Sequence, residues 1–140
     1  MTRPLGEVVL EMLLAGEDAV LYALRAQSAI ARVVRRERTK VGFFEIFEVP
    51  QPSPRLDALA DFVLDDVAAE LEGVEGSARF LLSVCDGSLD FLEGALLGSR
   101  WPASPRIRRV YYIRPSTSGG NVIVETGARD LAALRALWSA

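Results

Sequence analysis

The sequence predicts one α+β domain: an N-terminal helix pair, an antiparallel sheet of about five to seven strands, and a C-terminal helix. Three observations carry this prediction. Apolar residues recur at helical spacing chiefly near the two ends of the chain. Between them the runs are short, β-branched or aromatic, and alternating. An Asp86-Gly87 turn signal separates two such runs. Strands grouped between terminal helices fit α+β better than a βαβ pattern. A chain of 140 residues suits one core rather than two.

The elements follow in order. Residues 4–15 read as a helix, with Pro4 at a first helical position and Leu5, Val8, Val9, Met12 and Leu13 at helical spacing. Gly16 suits its stop. Glu17 and Asp18 open a second helix over 17–28, where acidic charge complements the helix dipole. Val20, Leu21, Leu24 and Ser28 share one side of it. Ala29–Glu37 and Val41–Val49 read as strands joined by a turn at Arg38-Thr39-Lys40. In the second strand, Val41, Phe43, Phe47 and Val49 fall on one face and Phe44 and Ile46 on the other. Pro50, Pro52 and Pro54 make a stiff connection.

Residues 56–72 fit two patterns. Leu56, Leu59, Ala60, Val63, Val67 and Leu71 suit a helix, while Phe62, Leu64, Val67, Ala69 and Leu71 allow extended pieces around Asp65-Asp66. Residues 78–97 read as a β-hairpin, with Ala78, Phe80, Leu82 and Val84 on one arm and Leu89, Phe91 and Ala95 on the other. Trp101–Pro105 connects to a strand at Ile107–Ile113. There Ile107, Arg109, Tyr111 and Ile113 share a face, opposite Val110 and Tyr112. Pro115–Gly120 is a loop, and Val122–Glu125 pairs back. Thr126 or Gly127 starts the last helix, whose apolar side holds Leu131, Leu134, Leu137 and Trp138.

Composition excludes much chemistry. With no His, a Ser-His-Asp triad, a Cys-His pair and a His-ligated metal cannot be built from this chain. One cysteine, Cys85, excludes an internal disulfide and a multi-cysteine metal site. The apolar N-terminal stretch is cut by Glu7, Glu11, Glu17 and Asp18, so a cytoplasmic location is expected, with no membrane partner.

The net charge of −3 hides segregated blocks. Residues 25–40 carry six basic side chains against Glu37. Residues 57–93 carry ten acids against Arg79, a segment charge of −9. Residues 100–114 carry five Arg and no acid. Either the blocks pair across neighbouring strands, or one forms a single-sign face for a charged partner.

The carboxylates Asp65, Asp66 and Glu70, with Asp90 and Glu93, are of the type that holds a divalent cation or works as an acid–base pair. Their local density shows no convergence, and Asp86–Asp90 has no calcium-loop ladder, so a solvated or Arg-paired face accounts for them better. No metal or other cofactor is assigned. The Ser116–Asn121 loop has the composition of an anion cradle but lacks a phosphate-loop ending. The Arg blocks with Phe43, Phe44, Trp101, Tyr111 and Tyr112 raise nucleic-acid binding, but the −9 segment would repel phosphates. No nucleic-acid partner is expected. Cys85 reads as a strand-end residue. Trp101 is either an exposed anchor or a plug at the hairpin end.

Several segments carry a resemblance. They are Leu14–Asp18 with Leu24–Gln27, Val41–Phe44, Asp66–Glu70, and Asp86–Gly94 through Trp101-Pro102. Over roughly residues 13–102 the chain resembles a family of small bacterial proteins with no established activity. The resemblance implies a strand at Gly42-Phe43-Phe44 and another entered at Asp66–Glu70, and it transfers no catalytic residue. In general character the chain is also similar to immunity proteins of bacterial toxin systems, a likeness of class alone.

The function expected is therefore a non-enzymatic interaction module meeting a basic protein partner through Asp65, Asp66, Glu70, Asp90, Glu93 and Trp101. The alternative is a small-molecule or carboxylate-dependent enzyme domain. It requires a deep pocket where Phe43, Phe91 and Tyr111 meet converging acids. A homodimer joined along a sheet edge is the third expectation.

Overall fold

The computed structural model describes residues 3–50, 56, 61–114 and 124–138. Two helices, α1 (Leu5–Leu13) and α2 (Ala19–Ile30), lead into six strands. These are β1 (Arg32–Arg38), β2 (Gly42–Glu48), β3 (Phe62–Leu71), β4 (Ala78–Cys85), β5 (Ser88–Leu96) and β6 (Ile107–Ile113). A two-residue strand, β7 (Glu125–Thr126), and the helix α3 (Leu131–Trp138) follow. The seven strands form one sheet in the order β1-β2-β5-β4-β3-β6-β7, with every neighbouring pair antiparallel.

All three helices pack on one face of the sheet. Leu5, Val9 and Leu13 lie four residues apart on α1 and are buried as a single stripe. They join Leu21 and Leu24 of α2 and Leu134 and Trp138 of α3 over Leu64, Phe80, Leu82 and Leu92. Burying each such side chain contributes roughly 1.5–3 kcal/mol. The opposite face carries no helix among the described residues. Its buried part is a small cluster of Ala68, Tyr111 and Ile113.

Several boundaries differ from those predicted. Helix α2 runs on to Ile30, so β1 begins at Arg32 rather than Ala29. Gln27, in the last turn of α2, is fully buried. Its amide nitrogen donates to the Gly87 carbonyl at 2.9 Å and its oxygen accepts from the Leu89 N–H at 2.9 Å. The side chain thus ties the helix end to the β4–β5 turn. At the other terminus, Thr126 belongs to β7 and α3 starts only at Leu131. There the Asp130 carboxylate accepts the Ala133 N–H at 3.0 Å, an N-cap geometry.

The ambiguous stretch 56–72 is a strand over Phe62–Leu71. It lies inside the sheet, paired with β4 on one side and β6 on the other. Residues 57–60 lie outside the described residues.

Bulges explain where simple alternation misplaces side chains. The register shift between Ser83 and Val84 puts Leu89 in the main core but Phe91 on the opposite face. Beyond it, Leu92 and Leu96 point to the helices and Glu93 and Ala95 away from them. The irregularity at Glu70/Leu71 places Ile107 with Val110 and Tyr112 against the main core, while Tyr111 and Ile113 sit in the small cluster. Ile107 therefore does not share a face with Tyr111, as period-two reading has it.

Candidate functional site

The open face of β2, β5 and β4 is the candidate site. Directly opposed residues on paired strands share a face. Phe44 opposes Glu93, and Glu93 opposes Leu81, so Glu93 sits between two apolar side chains. Ile46 opposes Phe91, which opposes Ser83. The Phe44 and Phe91 rings lie 6.0 Å apart and tilted. Phe44, Ile46, Leu81 and Phe91 are all half-buried. On β3, Val63 extends the patch at 38% exposure.

Charge on this face is sorted. At one side Arg32 pairs with Glu48 and Arg35 with Glu37. At the other, Glu70 accepts from Arg108 and Arg109, and Arg109 also grips Glu125 through two bonds of 2.7 and 2.8 Å. Hydrogen bonds from Arg108 and then Arg109 hold the Glu70 carboxyl below its ordinary range, and Arg109 does the same for Glu125. In the middle, Asp90 accepts from the Ser83 hydroxyl at 3.1 Å. Glu93 takes part in none of the ion pairs found among the described residues.

The charge blocks thus resolve unevenly. The first Arg block pairs with Glu37, Glu45 and Glu48 rather than with the −9 segment. The second reaches that segment at Glu70.

The six residues singled out from the sequence do not form one surface. Asp66 is fully buried on the helix side, where Arg129 grips it in a bidentate pair with both bonds at 2.9 Å. Trp101 is 6% exposed, its ring 5.3 Å from that of Phe43. Neither presents itself to a partner, because the bulge at Leu64/Val67 turns Asp66 inward and Trp101 packs against Phe43 beside the Lys40 turn. Glu70 lies at the β6 side, already bound by two arginines. Asp65, Asp90 and Glu93 remain on β3 and β5, separated by β4.

The pocket required for an acid-lined active site is not assembled from the expected residues. Phe43 faces the helices, whereas Phe91 and Tyr111 lie on the other side of the sheet. Among the described residues, no three acidic or cysteine side chains converge as a metal site would need. The Ser116–Asn121 loop lies outside the described residues.

Alternation in the sequence gives Phe44 and Ile46 their face, but it leaves Leu81 without one and groups Phe91 with Leu89. It also misses Gln27 and Arg129. Gln27 carries a readable signal, since it follows Leu21 and Leu24 on the buried stripe.

Cys85 is exposed at the end of β4. The Asp61 carboxylate, 3.6 Å from its sulfur, raises the thiol pKa, helped by desolvation, Asp90 and Asp86. The thiolate is the reactive form, so this thiol is a poor nucleophile. Asp61→Asn is expected to speed iodoacetamide alkylation at pH 8 several-fold. An unchanged rate would mean that access, not charge, controls the thiol.

Among the described residues, no helix is long and apolar enough to cross a membrane. No known protein family, curated protein or solved structure matches this chain.

Proposed function

We propose that this protein is a non-enzymatic, cytoplasmic interaction module, immunity-like in kind, that holds a basic segment of another protein against its open sheet face. One observation carries the reading: the Glu93 carboxylate, free of ion pairs among the described residues, lies between Phe44 and Leu81 and beside Phe91. A carboxylate set among half-buried apolar groups suits a partner that brings both a cation and an apolar side chain. An Arg or Lys beside an aromatic or aliphatic anchor has that chemistry. The sheet edges suit it less. Strand β1 is exposed along its length, but it is studded with arginines and broken by a bulge at Val33/Arg35. Both features oppose edge-to-edge pairing with a second copy.

The test is a titration, not a capture alone. A protein retained from host lysate is identified, purified and titrated against the wild type, Glu93→Lys, Phe91→Asp and the control Glu72→Lys. The proposal expects a basic partner. Its affinity should fall about tenfold or more with each open-face variant and stay unchanged with the control. Inhibition of a basic toxin by co-expression would establish the immunity-like form. An affinity indifferent to Glu93→Lys and Phe91→Asp would overturn the proposal. So would a second copy of this chain as the sole occupant of the face.

A further inference from the structure

On the other side of the sheet, where α1 begins above β1 and β2, a surface cavity of about 310 Å³ opens. Its apolar wall is Leu5, Phe43, Trp101 and Pro105, and Arg36 and Arg38 reach it from β1. We propose that this cavity binds a small carboxylic acid with an aromatic or compact apolar body, the body against Phe43 and Trp101 and the carboxylate on Arg38.

The geometry assigns each part. Phe43 and Trp101 are held as a tilted pair, and Phe43 also leans on Phe80 at 6.4 Å. The Trp101 backbone is fixed as well, since its main-chain N–H donates to the Lys40 carbonyl at 2.9 Å. The aromatic wall is therefore built before any ligand arrives, which lowers the ordering cost of binding. Arg36 and Arg38 are two residues apart on one strand, opposite Glu45 and Phe43, so both project to the helix side.

Charge then selects the ligand. Glu37 and Glu45 also border the cavity, and of the two it is Glu45 that sends its side chain to this side of the sheet, since Glu37 opposes Phe44. Each is already matched, Glu37 by Arg35 and Glu45 by Arg36 at 3.3 Å. Arg38 enters none of the ion pairs found among the described residues. One unmatched guanidinium suits one carboxylate, which its planar fork can hold through two bonds. A phosphate dianion would meet Glu45 with Arg38 as the one unmatched cation among the described lining residues. The volume sits at the small end for ligand sites and equals roughly ten water molecules, which fits a single ring with a short acidic arm. This site opens on the opposite face of the sheet from the proposed protein interface, and Phe44 borders both.

The probe is phenylacetate, followed by two-dimensional NMR of the labelled full chain. Phenylacetamide serves as the neutral isostere and inorganic phosphate as the bare anion. Phenylacetate should shift the Trp101 indole and the Gly6 and Arg38 amides in a saturable way, and bind about tenfold more tightly than phenylacetamide. Arg38→Gln should remove that preference while leaving phenylacetamide binding unchanged. Arg38 is an exposed side chain, so this variant keeps the fold. Equal binding of acid and amide, stronger binding of phosphate, or shifts away from Trp101 would each overturn the proposal.

Discussion

Arg129→Ala should lower unfolding free energy by about 3–5 kcal/mol, the cost of leaving one partner of a buried ion pair behind. In a domain of ordinary stability, roughly 5–15 kcal/mol, that is a large share. The Arg129 and Asp66 side chains are 6% and 1% exposed, so solvent screens neither. Arg129 also donates to the Leu13 carbonyl at 2.7 Å and to the Ala15 carbonyl at 2.5 Å. These carbonyls lie at and just beyond the end of α1, where helix acceptors lack partners and positive charge is favoured. Tyr112 helps from the sheet, donating to the Met12 carbonyl at 2.8 Å, with its ring 5.4 Å from the Arg129 guanidinium. One guanidinium thus joins β3, the end of α1 and the approach to α3. Asp66→Asn should cost less than Arg129→Ala, because the carbonyl bonds survive. Replacing both partners by apolar residues should not restore the wild-type value, since the α1 carbonyls stay unpaired. Urea unfolding of the three variants checks this. A double variant as stable as the wild type would show that the carbonyl bonds contribute nothing.

How far the sequence discloses such features depends on their range. Hydrophobic period and turn chemistry are local, so the helix pair, the hairpin at Asp86-Gly87 and the opposite faces of Phe43 and Phe44 could all be read directly. The strand at Phe62–Leu71 could not, because its character comes from lying between β4 and β6, and pairing partners leave no local mark. The bulges at Leu64/Val67 and Ser83/Val84 are invisible for the same reason. Each shifts the phase of alternation, and the errors at Asp66 and Phe91 follow from that. Charge counting found the acidic segment but not its fate. Whether an acid pairs depends on which strand lies opposite: Glu70 meets Arg109 across β3 and β6, whereas Glu93 meets Phe44 and Leu81. Candidate site residues are therefore legible as types, while their grouping is a property of register.

Register also sets the second large effect. Gly42→Ala should detach the β1–β2 hairpin from the sheet and lower stability by about 3 kcal/mol or more. A methyl carbon on Gly42 would collide with the Gly94 carbonyl oxygen and lie 2.9 Å from the Ala95 Cα. These are backbone atoms of β5, so no side-chain rotation relieves the clash and the two strands must move apart. Among the described residues, β2 is the only strand beside β1, and it meets the rest of the sheet only through β5. Loosening that pairing frees both strands and withdraws Phe43 from Phe80 and Trp101. Gly94→Ala is the instructive comparison. Its added carbon would press on the ring of Phe43 and lie 2.9 Å from that of Phe80, both of them side chains. It should cost about 1–3 kcal/mol as ordinary overpacking, and Phe43→Leu should recover part of the loss. Hydrogen exchange separates the cases. In Gly42→Ala the β1 and β2 amides should exchange quickly while β3 and β4 stay protected. In Gly94→Ala all four should remain protected. Uniform loss of protection in Gly42→Ala would mean that the hairpin and the central strands unfold as one unit, and would refute an independently detachable β1–β2 edge.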